Sequence, residues 1–163
     1  LTDGADVRRG ARLRVVLFVT SLHRGGAERV VLDLHAALPR AGVDVTLAVL
    51  DRPRREAFAP PPGALLLADA APRRSARIAA LARAAAAWGA DLVHAHLVDA
   101  DDARALEAAG VCVVLTAHNA RPGWPPGYEA LAPGVATLAI GCSIGATRDL
   151  LAVGAHPDKD SME

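Results

Sequence analysis

Aromatic residues are nearly missing from this chain, which has two tryptophans, one tyrosine and two phenylalanines in 163 residues. That shortage removes the stacking platform on which single-stranded nucleic acids are held. A charge of one sign is missing as well, because 18 basic residues balance 18 acidic ones. Without a basic field to grip a phosphate backbone, no nucleic-acid partner is expected. No uninterrupted apolar run reaches the roughly 20 residues that a membrane-crossing helix needs. The opening residues, with Asp3, Asp6, Arg8, Arg9 and Arg12, lack the pattern of a secretory leader. Cysteine is scarce too. Cys112 and Cys142 each lie within an apolar run and read as thiols of a reduced, cytoplasmic protein, not as a disulfide scaffold.

What the chain does have is alternation. Apolar, β-rich runs at residues 13–20, 43–50, 65–67, 91–96, 111–117 and 137–142 are separated by helical patterns at 27–38, 75–88, 101–109 and 144–153. A short helix is expected around Tyr128, and irregular connections at 51–63 and 119–130. Short apolar strands alternating with helices predict an α/β fold, a Rossmann-like parallel sheet with helices on both faces. The length fits one domain, placed at residues 13–155 between a polar lead-in at 1–12 and a polar tail at 156–163. In such sheets ligands bind at the carboxyl ends of the strands. Three strand ends carry informative residues: Gly25 and Gly26, His94 and His96, His118 and Asn119.

Gly25-Gly26 follows an apolar strand and opens a helix, so the backbone can approach an anion closely with free amides facing it. The turn is not the G-x-G-x-x-G dinucleotide fingerprint, and no Walker lysine follows it. A phosphate could rest on the amides of Gly26 and Ala27; equally, the glycines could serve only the turn. Glu28 suits the first helical turn electrostatically, and Ser143 reads as an N-cap. His94 and His96, two apart on a strand, share a face. With Asp99, Asp101 and Asp102 beyond them they invite a metal reading, but the spacing is poor, since further along the chain only His118 and His156 remain as candidates. No metal is therefore assigned: His94 reads as a packed strand histidine and His96 as a lining residue of the crevice. His118, ending an apolar strand, suits hydrogen bonding to a sugar hydroxyl or a developing charge; a purely local backbone bond is the plainer reading. His23 and Arg24 stand in the loop before the glycines, and Asn119, Arg121 and Trp124 follow His118.

These features together resemble the N-terminal half of a retaining glycosyltransferase of the GT-B fold, in the glycosyltransferase family 4 group. The resemblance rests on Val16-Leu17-Phe18-Val19-Thr20 leading to Gly25-Gly26-Ala27-Glu28-Arg29-Val30-Val31, on Gly42-Val43-Asp44-Val45-Thr46-Leu47, and on Asp91-Leu92-Val93-His94-Ala95-His96. Val114-Leu115-Thr116-Ala117-His118-Asn119 and Cys142-Ser143 complete it, so that it covers about residues 13–155. It implies that Gly25 and Gly26 approach the diphosphate of a nucleotide-sugar donor, that His118 sits beside the transferred sugar as the catalytic residue, and that His96 lies near the cleft. His23, Arg24, Asn119, Arg121 and Trp124 would then line the cleft or hold the acceptor. No cofactor or metal is implied. The implied partners are the nucleotide-sugar and a small-molecule, lipid or glycan acceptor, with peripheral membrane contact compatible. The resemblance also implies a C-terminal donor-binding domain that this sequence lacks, so the chain reads as a fragment, inactive by itself. The alternatives are a non-catalytic module pairing with a separate donor-binding chain, a metal-dependent hydrolase built on His94, His96, Asp99 and His118, and a sugar-nucleotide epimerase of the same fold.

Overall fold

The computed structural model describes residues 12–128 and 138–153. The polar lead-in before Arg12, the continuation of the helix expected at Tyr128, the expected strand start at Thr137, and the tail with His156 lie outside the described residues. Six strands, β1 (Arg14–Val19), β2 (Asp44–Val49), β3 (Leu65–Leu66), β4 (Leu92–His96), β5 (Val113–Ala117) and β6 (Leu138–Gly141), form one sheet. All are parallel, in the order β3-β2-β1-β4-β5-β6. Among the described residues five α-helices accompany them, α1 (Gly26–Ala37), the one-turn α2 (Leu67–Ala70), α3 (Arg74–Trp88), α4 (Ala100–Ala108) and α5 (Ile144–Ala152), with a 3-10 turn at Leu38–Ala41 following α1.

The continuous apolar run of β1 follows from burial on both faces. Val16 and Phe18 face a core built with Ile78, Leu81, Ala82 and Ala85 of α3, Ala103 and Leu106 of α4, and Ala146 and Leu150 of α5. The helical spacing of the α3 set puts a single stripe against the sheet. Val15, Leu17 and Val19 face the other way, against Val31 of α1 and Leu22 of the loop before it. The sheet is thus covered by helices on both faces, the Rossmann-like arrangement expected.

Several boundaries shift by a residue or two from expectation, and two of the shifts have plain local reasons. β5 begins at Val113, not at residue 111, because the preceding residues close α4. Gly110 sits at φ 80°, its N–H donates to the Glu107 carbonyl, and the Val111 N–H donates to the Leu106 carbonyl. That paired closure needs the left-handed conformation that glycine adopts freely. After β3 the chain turns at once into α2, where Leu67 is buried. The short third strand therefore ends at Leu66. Ser143 caps α5 as expected, its hydroxyl accepting from the Ala146 N–H at 3.1 Å.

Candidate functional site at the carboxyl edge

The strand order reverses direction from β1, with β2 and β3 on one side and β4, β5 and β6 on the other. Open α/β sheets bind ligands outside the carboxyl ends at such a point. The Gly25-Gly26 turn follows β1, His96 ends β4 and His118 lies one residue past β5, so the expected site residues converge on this edge. Thr20, just past β1, locks the neighbouring strand end by donating its hydroxyl to the Leu97 carbonyl at 2.5 Å. Leu97 has φ 54°, a left-handed conformation that costs a leucine free energy and gathers at functional sites.

Gly25 is the N-cap of α1, in an extended conformation, and no side chain caps the helix. The amides of the first turn consequently lack an intrahelical acceptor and carry the positive end of the helix dipole. The two glycines differ in surroundings. A Cβ on Gly25 would meet Glu28 Oε2 at 2.5 Å, whereas a Cβ on Gly26 would meet nothing within 4 Å. Glu28, buried in the first turn, therefore folds over Gly25 and leaves the Gly26 side open. Phe58, from the irregular connection after β2, donates its N–H to the Leu22 carbonyl at 2.8 Å and braces the loop before the glycines.

The histidines form a column across β4 and β5. His94 Nε2 lies 2.7 Å from Thr116 Oγ1, and His96 Nδ1 lies 2.9 Å from His118 Nε2. The rings of His94 and His96 are 4.1 Å apart, those of His96 and His118 5.2 Å. Burial sets the protonation of all three, because a buried imidazole resists charging. Desolvation, with repulsion from His118, pushes His94 down to about 4. Burial, then repulsion from His94 and His118, pushes His96 lower still. His118 is lowered by burial but pulled partly back by the Glu28 carboxylate, which ties the start of α1 to the end of β5. All three are neutral near pH 7.

Two residues expected in the cleft are enclosed instead. His96 is 1% exposed, standing behind His118 because even-numbered residues of β4 and β5 share the sheet face that α1 begins to cover. Trp124 is 9% exposed; it packs edge-on against Tyr128, ring centroids 5.7 Å apart, since this scarce large ring fills core volume beside α4. Arg121 stacks over the Trp124 ring at 4.7 Å. Asn119 donates its side-chain amide to the Gly123 carbonyl at 2.9 Å and holds its own loop. His23 and Arg24 are exposed on the loop before Gly25.

Asp99 and Asp102 are gripped by Arg74, with Arg74 Nη2 at 2.9 Å from Asp99 Oδ2 and at 2.5 Å from Asp102 Oδ2. Among the described residues no group of three or more His, Cys, Asp or Glu side chains is gathered as a metal site. Cys112 and Cys142 are both free and exposed, and Cys142 Sγ donates to the His118 carbonyl at 2.9 Å. No described helix is long and apolar enough to cross a membrane. Thr20, Leu97 and Thr116 belong to the site without having stood out in the sequence. Their one signal was position, each lying at the carboxyl end of a strand or directly after it.

Comparison with functionally curated proteins gives no match. A family model described as Glycosyltransferase Family 4 matches residues 24–150, a span that starts at the glycine turn and takes in the whole histidine column. With that match over most of its length, and with the parallel Rossmann-like sheet that carries the site, the chain belongs to glycosyltransferase family 4, as an N-terminal domain of that kind.

Proposed function

We propose that this domain forms the acceptor-side wall of a glycosyltransferase that moves a sugar from a nucleotide-sugar to an acceptor hydroxyl. The observation that carries this reading is the meeting, at one edge, of an uncapped helix start at Gly26 with the neutral imidazole of His118. Each hydrogen bond from a first-turn amide to a charged oxygen contributes roughly 1.5–3 kcal/mol, and the helix dipole about 0.3–1 kcal/mol. Those magnitudes orient a diphosphate and leave most of the donor's affinity to other groups, which fits a donor held chiefly by a second, C-terminal domain of a GT-B pair.

Transfer with retention suits this edge. Among the described residues, the nucleophiles beside Gly26 and His118 have other partners: Cys142 bonds a backbone carbonyl and Ser143 caps a helix. The acceptor oxygen would bond to the anomeric carbon on the face from which the diphosphate departs, its proton passing to the departing phosphate oxygen. His118 would hydrogen-bond the transferred sugar, with no metal or cofactor required. The loops after β2 and β5 would shape the acceptor pocket.

The test is transfer by this domain joined to its donor-binding half, with and without His118→Ala. Removing one donor of this kind lowers turnover by about 100-fold or more, with the donor's KM changed far less. Equal turnover of variant and parent would remove His118 from the chemistry. Transfer by the isolated 163-residue chain would overturn the dependence on a second domain.

A further inference from the structure

The contact between His96 and His118 fixes more than a distance. His96 Nδ1 and His118 Nε2 stand 2.9 Å apart, so between two neutral rings one proton must lie on this axis. Two arrangements satisfy that condition. In the first, His96 Nδ1–H donates to His118 Nε2, which leaves His96 Nε2 bare and puts the His118 proton on Nδ1. In the second, His118 Nε2–H donates to His96 Nδ1, and the His96 proton moves to its Nε2.

His96 Nε2 is fully buried and has no hydrogen-bond partner among the described residues. The second arrangement therefore buries an N–H donor with nothing to receive it, a condition folded proteins avoid more strictly than an under-satisfied acceptor. We infer that His96 is a positioning residue: held as its Nδ1–H tautomer, it fixes His118 as a hydrogen-bond donor through Nδ1–H, pointed away from His96. This deepens the reading of His118 given above and rests on it for its functional consequence, though not for the tautomers themselves.

The surroundings act in the same direction. His94 packs against the His96 ring at 4.1 Å and is itself bonded to Thr116, so the plane of the His96 ring is held where its Nδ1 meets His118. The other charged group acting on His118 is Glu28 of α1. Its carboxylate favours protonation of the His118 ring without choosing between the two nitrogens, and in the first arrangement the nitrogen off the axis carries the proton. Full protonation of His118 would put N–H groups on both sides of the axis and force His96 into the disfavoured tautomer. His96 thereby keeps His118 a neutral donor to a sugar or phosphate oxygen, and not a proton acceptor.

The assay is two-bond ¹H–¹⁵N correlation of the imidazoles in the 163-residue chain at neutral pH, with His118 assigned by its loss in His118→Gln. The parent should show both His96 and His118 protonated at Nδ1. His96→Asn, whose side-chain N–H replaces the Nδ1 donor, should keep His118 in that form; His96→Leu should release it to a mixture of tautomers. A parent spectrum with His118 protonated at Nε2, or a His118 tautomer unchanged in His96→Leu, would overturn the inference. The parent spectrum alone decides if a variant does not fold. Because the readout requires no sugar transfer, it stands or falls separately from the His118→Ala kinetics.

Discussion

Mild acid should destabilise this domain through its own histidine column. His94 and His96 are lowered mainly by burial, so the folded state keeps them neutral at a pH where the unfolded chain charges both. The sign follows from proton counting: the unfolded state binds more protons as pH falls, so their contribution is complete above the ordinary histidine value of about 6.5 and is lost as pH falls from there toward the folded values. At pH 5 an unfolded histidine has gained about 2 kcal/mol from protonation that a neutral buried one has not, so the pair lowers stability by roughly 4 kcal/mol between pH 7 and 5. His118, half-exposed and pulled back by Glu28, and His35, lowered slightly by burial, add smaller amounts of the same sign. Asp99 opposes them, being raised by burial. Against a domain stability of about 5–15 kcal/mol, a change of that size is easily measured by urea unfolding at half-unit steps of pH. His94→Gln should reduce the slope by nearly half. Stability that stays flat, or rises, from pH 7 to 5 would show that the column is not buried neutral and would refute the reasoning.

Replacing Gly25 by Ala should displace the Glu28 carboxylate that a Cβ would meet at 2.5 Å. An NMR titration should then place the His118 pKa lower than in the parent; an unchanged or higher value would separate Glu28 from the site. A Cβ on Gly141 would run into the backbone nitrogen and hydroxyl of Thr147, so Gly141→Ala should cost about 1–3 kcal/mol by overpacking β6 against α5, read as a lower urea midpoint. Arg74→Ala leaves Asp102, whose side chain is 9% exposed, without its cation. With Arg74 itself partly solvated, the loss should be about 2 kcal/mol, below the roughly 3–5 kcal/mol of a fully buried pair, and the double change with Asp102→Asn should recover part of it.

The fold was legible because its signals are local. Each strand is an apolar run and each long helix has a single stripe, so Val15 to Val19 and Ile78 to Ala85 declare themselves without knowledge of their partners. The meeting of the glycine turn with His118 followed from one further rule, that parallel strands place all their carboxyl ends on one edge. What remained hidden depends on contacts between distant residues. Nothing near position 96 marks its imidazole as enclosed, because its cover includes His118, 22 residues away beyond β5. Trp124 looked like a surface ring for a ligand, yet in a chain so poor in large side chains it is needed in the core. Glu28 is legible in the sequence as a first-turn acid, but its fold over Gly25, which sets the two glycines apart, exists only in three dimensions.

If a donor's diphosphate and sugar meet this domain at Gly26 and His118, both residues respond when a nucleotide-sugar is added. The direct measurement is an NMR titration of the 163-residue chain with a panel of nucleoside diphosphate sugars, repeated on Gly26→Ala. That substitution has open space around it and should leave stability within about 0.5 kcal/mol. Concentration-dependent shifts are expected at the amides of Gly25, Gly26 and Ala27 and at the His118 ring, weakened in the variant. Shifts confined to another part of the sheet, with Gly26 and His118 unmoved by every member of the panel, would contradict that placement of the donor.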